Sequence, residues 1–147
     1  MTPHDPVTSP DHYTIYPVQP IAITRHLGFC LGNAVKYVLR APYKGNAHQD
    51  LKKALQYLTW EKEGPAPSLS IGAYNQVEKV CEALITHLLP TSQESGCVLT
   101  VAQAETQGLQ AEFLVALCEY LTGKSNRLYG MKFHVCALNV HLQRQPQ

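Results

Sequence analysis

Apolar residues recur at helical spacing along most of this chain. At 100° per residue, Leu31, Ala34, Val35, Val38 and Leu39 fall on one side of a helix predicted over residues 30 to 41. Before it, Pro20 suits the first turn of a short helix from Ile21 to Leu27, which Gly28 ends, and Phe29 is expected to plug the corner. Ala41-Pro42 stops the central helix, because the residue before a proline is pushed out of the α region. Tyr43 to His48 then reads as a loop. Asn46 or Asp50 can cap a further helix that lasts to Glu63, with Leu51, Ala54, Leu55 and Leu58 as its buried stripe. Gly64-Pro65-Ala66-Pro67-Ser68 marks a boundary. Beyond it the pattern predicts helices over 71 to 89, 107 to 121 and 126 to 144. Cys97-Val98-Leu99-Thr100-Val101 would be an isolated strand without a partner, so it reads as a connector or the entry to the next helix. The expected fold is all-α: a small helical bundle of two halves, completed by oligomerisation. Residues 1–11 form a leader, 12–63 the first helical region, 64–70 a linker and 71–147 the second helical region.

Composition narrows the classes. Hydrophobic residues make up 45% of the 147 and charged residues 16%, which argues against global disorder. A net charge of +1 gives no reason to expect duplex nucleic acid as a partner. The charge is unevenly placed, however. Between Pro20 and Tyr57, Arg25, Lys36, Arg40, Lys44, Lys52 and Lys53 face Asp50 alone, whereas from Gly64 onward five Lys/Arg meet six Glu. No apolar run is long enough for a membrane span and no secretory pattern opens the chain, so a cytoplasmic protein without a membrane partner is expected. The five cysteines have no CxxC spacing. Four of them, Cys30, Cys81, Cys118 and Cys136, lie within apolar helical patterns and read as buried reduced thiols.

Polar positions on the two helices flanking the loop carry the sharpest signal. Asn33, Lys36, Tyr37 and Arg40 occupy about 100° of arc opposite the apolar stripe. Lys36 and Arg40 stack one turn apart, like charge over like charge, so an anion between them would be stabilising and loss of one cation should cost folding little. Lys53, Tyr57 and Trp60 form a second basic-aromatic stripe on the next helix. Helices joined by so short a loop pack antiparallel, which lets the two rows face a common groove. Cationic side chains hold phosphate and rings stack a base, and a nucleotide needs both. A solvated helix face is the plainer reading of the same residues.

Other chemistry is thinner. Gly123-Lys124-Ser125 lacks the upstream glycine of a P-loop, and Gly28 and Gly32 precede no strand. His134 and His141, seven apart, read as surface histidines sharing a face. Glu78, Glu82, Glu112 and Glu119 lack the dense clustering of magnesium-binding helices in all-α pyrophosphohydrolases.

His12-Tyr13, Gly32-Asn33-x-x-Lys36-Tyr37-x-x-Arg40, Lys44-Gly45 and Asp50-Leu51-x-Lys53-Ala54-x-x-Tyr57-Leu58 together resemble a family of small phage and prophage proteins, mostly uncharacterised or nucleotide kinase-like. Its characterised branch is a phage nucleotide kinase without a Walker motif. The resemblance covers residues 10 to 63. It implies a helical fold, deoxynucleoside monophosphates as substrates, a nucleoside triphosphate donor with Mg2+, and a ring-like homo-oligomer. The residues it marks for nucleotide binding are His12, Tyr13, Asn33, Lys36, Tyr37, Arg40, Lys44, Lys53 and Tyr57. Lys36, Arg40 and Asp50 are the candidates for catalysis. A phage-type nucleotide-binding protein is the leading expectation, with nucleoside monophosphate kinase activity as its enzymatic form. A non-catalytic nucleotide sponge, such as a counter-defence protein, needs the same groove and no metal carboxylate. A structural or host-protein-binding module would leave the groove empty.

Overall fold

In the computed structural model, which describes residues 16–43, 45–64, 67–89, 100–124 and 126–145, Pro20 opens α1 (Ile21–Thr24). This helix is a single turn, shorter than its sequence suggests, and the chain then continues in turns to an extended Gly28. The remaining helices are α2 (Phe29–Arg40), α3 (Ala47–Glu63), α4 (Ile71–Leu88), α5 (Val101–Leu121) and α6 (Arg127–Gln143). No strand forms among the described residues, so the fold is an all-α bundle. The leader at 1–11, with His12, Tyr13 and Cys97, lies outside the described residues.

α2 buries Leu31, Ala34, Val35, Val38 and Leu39, the stripe its sequence marks. Gly32 is buried beside them, where an added Cβ would meet the Thr24 carbonyl oxygen at 3.3 Å. Its missing side chain is what lets α1 lie close against α2. Pro42 ends α2 in a 3-10 turn, Ala41–Tyr43, and Gly45 follows with φ +83°, in the left-handed region that glycine tolerates. α3 buries Leu51, Ala54 and Leu58 against α2. Contacts between the two run Arg40 to Asp50, Tyr37 to Tyr57 and Phe29 to Tyr57, so α2 and α3 are antiparallel.

The two halves share one core. α3 packs on α6, α1 on α4, and α5 on both α4 and α6, with Phe113, Leu117, Met131, Val135 and Leu138 joining the stripes of α2 and α3. One polar group also reaches across. The last carbonyls of a helix have no partner within it, and at the buried end of α2 they are met by side chains from elsewhere. Gln110 Nε2 donates to Val38 O at 3.1 Å, and the Tyr16 hydroxyl donates to Leu39 O. Gln110 Nε2 also lies 3.2 Å from the Tyr16 hydroxyl oxygen.

α5 starts six residues earlier than expected. Thr100 and Gln103 form a reciprocal capping box, at 3.1 and 3.0 Å, which places the N-terminus at Val101. Along α5 and α6 the side-chain contacts Glu105–His141 (3.2 Å) and Glu112–His134 (3.3 Å) and the ion pair Glu119–Arg127 (3.1 Å) recur every seven residues. His134 and His141 do share a face, but their side chains are only 15% and 11% exposed, not surface groups. Cys136 departs from expectation in the opposite sense. It is exposed because the buried stripe of α6 runs through Leu128, Met131, Val135 and Leu138, one residue away.

Candidate functional site

The α2–α3 hairpin brings five of the expected site residues together around one ring. Tyr37 and Tyr57 stack at 6.0 Å between centroids and 14° between planes. Lys36 Nζ lies 4.6 Å from the Tyr37 centroid, Arg40 Cζ 4.7 Å and Lys53 Nζ 5.5 Å. Each helix supplies its part through the spacing that carries its buried stripe. Positions 36, 37 and 40 lie on one side of α2, and 53 and 57 are one turn apart on α3.

Asp50 is the only carboxylate between Tyr16 and Trp60. It is 3% exposed and pairs with Arg40, with Nε to Oδ2 at 3.3 Å and Nη2 to Oδ1 at 3.5 Å. This changes the electrostatic reading of the row. Spacing alone stacks Lys36 on Arg40 with no relief except an added anion. The structure instead sets both cations at the Tyr37 ring, where each gains about 0.5–1 kcal/mol, and gives Arg40 a buried counter-charge. The expectation that losing Arg40 costs folding little is therefore corrected: Arg40 is a structural partner, with a side chain only 16% exposed. Among the described residues the Tyr37 ring thus gathers three cations, and the one carboxylate beside them is taken by Arg40.

Asn33 sits a turn before Lys36 and donates its Nδ2 to Phe29 O at 2.8 Å, within its own helix. Lys44, like His12 and Tyr13, lies outside the described residues. Phe29 was not marked by sequence reasoning as part of the site. It does not plug a corner: its side chain is 75% exposed and meets Tyr57 edge-on at 5.6 Å. The signal was available, because Phe29 lies four residues before Asn33 and so continues the polar row, but a phenylalanine after a helix-ending glycine reads as core. Trp60 meets Tyr57 at 5.5 Å from the adjacent turn of α3. Four rings and three cations thus occupy one outward face.

Among the described residues, five surface hollows of about 310 to 770 Å³ lie elsewhere, and none of these is lined by Lys36, Tyr37, Arg40, Lys53 or Tyr57. The 770 Å³ hollow follows α5 and α6, lined by Leu109, Phe133, Val140 and the Glu105–His141 pair. The α2–α3 face differs from it in gathering three cations at one ring. No group of three or more potential metal ligands occurs among the described residues.

Fold and site together define an all-α bundle with a basic-aromatic face on one helical hairpin. Residues 7–59 match a family described as a protein of unknown function (DUF3310). That match covers α1, α2, the 3-10 turn and most of α3, and with them every residue of the face except Trp60. No curated protein and no solved structure matches the chain. No described helix is long and apolar enough to cross a membrane.

Proposed function

We propose that this protein binds nucleotides on the α2–α3 face. The observation that carries the reading is the Tyr37–Tyr57 stack ringed by Lys36, Arg40 and Lys53. Rings supply a surface for a base and cations a seat for phosphate, and here both lie within 6 Å of one centroid. The resemblance to phage nucleotide kinase-like proteins points the same way.

Phosphoryl transfer with Mg2+ is the enzymatic form of the reading, and the described side chains of this face do not fit a magnesium ion by themselves. Magnesium takes carboxylate or phosphate oxygens, and the one carboxylate beside the cations is buried against Arg40. This observation favours holding a nucleotide over turning it over, as a sequestering protein does. Incubation of the pure protein with a panel of nucleoside mono- and triphosphates, followed by analysis of retained and converted species, tests both parts. Retention without conversion is the expected result. Conversion of a monophosphate to a diphosphate at the expense of a triphosphate would restore the kinase, and no retention of any nucleotide would remove the proposal.

A further inference from the structure

We infer that the ligand of the α2–α3 face is a run of single-stranded nucleic acid, not a lone nucleotide. The inference rests on the nucleotide-binding reading of the same face and specifies its substrate class. Sites for small molecules are concave and cover most of their ligand. Among the described residues, none of these hollows is lined by the basic row, so the described part of the face gives one nucleotide no enclosing cleft.

The rings also outnumber the needs of one base. Phe29, Tyr37 and Trp60 each approach Tyr57, with centroids 5.5 to 6.0 Å away. The outer two are the most exposed, at 75% for Phe29 and 48% for Trp60. Adjoining exposed rings on a protein surface mark a contact site. Sequence-tolerant strand binders combine such stacking platforms with cations that follow the sugar-phosphate chain. Lys36, Arg40 and Lys53 are those cations, gathered at the Tyr37 end of the aromatic group. Lys53 and Trp60 are separated by about 10 Å of helix rise, the length of about three stacked nucleotides at ~3.4 Å each. A duplex hides its base faces, and the net charge of +1 offers it little long-range attraction. An unpaired strand presents the bases directly.

Trp60 is the sole tryptophan, so its emission reports on this face alone. Full-length protein is titrated with thymidine monophosphate, (dT)4, (dT)12 and (U)12, with labelled-strand anisotropy in parallel. Stacking should quench Trp60, and affinity should rise about 5- to 150-fold from the monophosphate to (dT)4. The rise should then flatten, and log affinity should fall with log salt with a slope of about −1.4 to −2.1, corresponding to two or three phosphates. Phe29→Ala, at an exposed ring, should weaken (dT)4 by about 5- to 150-fold. Comparison of (dT)12 with (U)12 identifies DNA or RNA as the strand, and a preference for either agrees with the inference. If thymidine monophosphate binds as tightly as (dT)12, the strand inference falls while nucleotide binding stands. If neither binds, both fall. If (dT)4 binds equally to wild type and Phe29→Ala, the strand does not run along these rings and the inference is overturned.

Discussion

Replacing Arg40 by alanine takes the guanidinium away from a carboxylate that has almost no access to water. Asp50 is 3% exposed, and Arg40 is its one ion-pair partner among the described residues. Removing one partner of a fully buried pair costs about 3–5 kcal/mol, because the other charge is left uncompensated. Two features place this pair below that range. The Arg40 side chain keeps 16% of its exposure, and contacts of 3.3 and 3.5 Å are longer than the ~2.7–2.9 Å of strong charge-assisted bonds. A loss of about 2–3 kcal/mol follows, including the contact with Tyr37. At roughly 2–4 °C per kcal/mol for a chain of this size, the melting temperature should fall by about 4–12 °C. Thermal and urea melts followed by far-UV circular dichroism, on Arg40→Ala, Asp50→Asn and the double variant, measure the two quantities. The double variant should regain part of the loss, since the stranded charge is gone. Arg40→Ala within about 0.5 kcal/mol of wild type would refute the reasoning, because it would mean that water reaches Asp50 freely.

Three further outcomes follow from the packing. Gln110→Leu strips the donor from the Val38 carbonyl at the buried end of α2 and should cost about 1–3 kcal/mol in denaturant melts; a neutral result would show that this end is solvated. Burial raises the Glu61 carboxyl above the usual carboxylate range, with the Tyr120 hydroxyl, 2.9 Å away, opposing the shift. The folded state therefore holds more protons than the unfolded one between the two values, and stability contributed here is lost as pH rises through the folded value. Glu61→Gln keeps an acceptor for Tyr120, so its melting temperature relative to wild type should climb from pH 4 to pH 7; a constant difference contradicts this. Finally, the hydrogen bond with Cys118 and burial hold the Cys81 thiol well above the ordinary range, while Cys136 is exposed. Of these two, Cys136 should be modified first by a thiol reagent, and peptide mapping that finds Cys81 modified earlier would count against the core as described.

How much the sequence disclosed depended on the kind of signal. Periodic stripes were legible: Leu31, Ala34, Val35, Val38 and Leu39 all lie in the core, as their spacing demands. The gathering of Lys36, Tyr37, Arg40, Lys53 and Tyr57 was legible too, because a short loop folds two periodic helices back on each other. Other features escaped because they depend on distant partners. The Arg40–Asp50 pair, which spans ten residues and two helices, was open to sequence reading only as the structural alternative to a phosphate-binding role for Arg40. Gln110 carries no local signal, because its partner at the end of α2 lies 72 positions away. His134 and His141 took on their half-buried setting from Glu112 and Glu105 across the α5–α6 seam. The start of α5 was missed for a local reason, since the Thr100–Gln103 capping box is a short-range signal that the search for apolar periodicity overlooked.

The central claim concerns Lys53, Tyr37 and their neighbours as a seat for nucleotides, and calorimetric titration of one variant tests it most directly. Lys53 is exposed on α3, 5.5 Å from the Tyr37 ring, and no described ion pair depends on it. Lys53→Ala should therefore melt close to wild type. If its ammonium meets a phosphate, the variant should bind thymidine nucleotides or (dT)4 more weakly by about 1.5–3 kcal/mol, or roughly 10- to 150-fold. Equal affinity in the two proteins, at equal melting temperature, would contradict the account and leave the basic row as a solvated helix face.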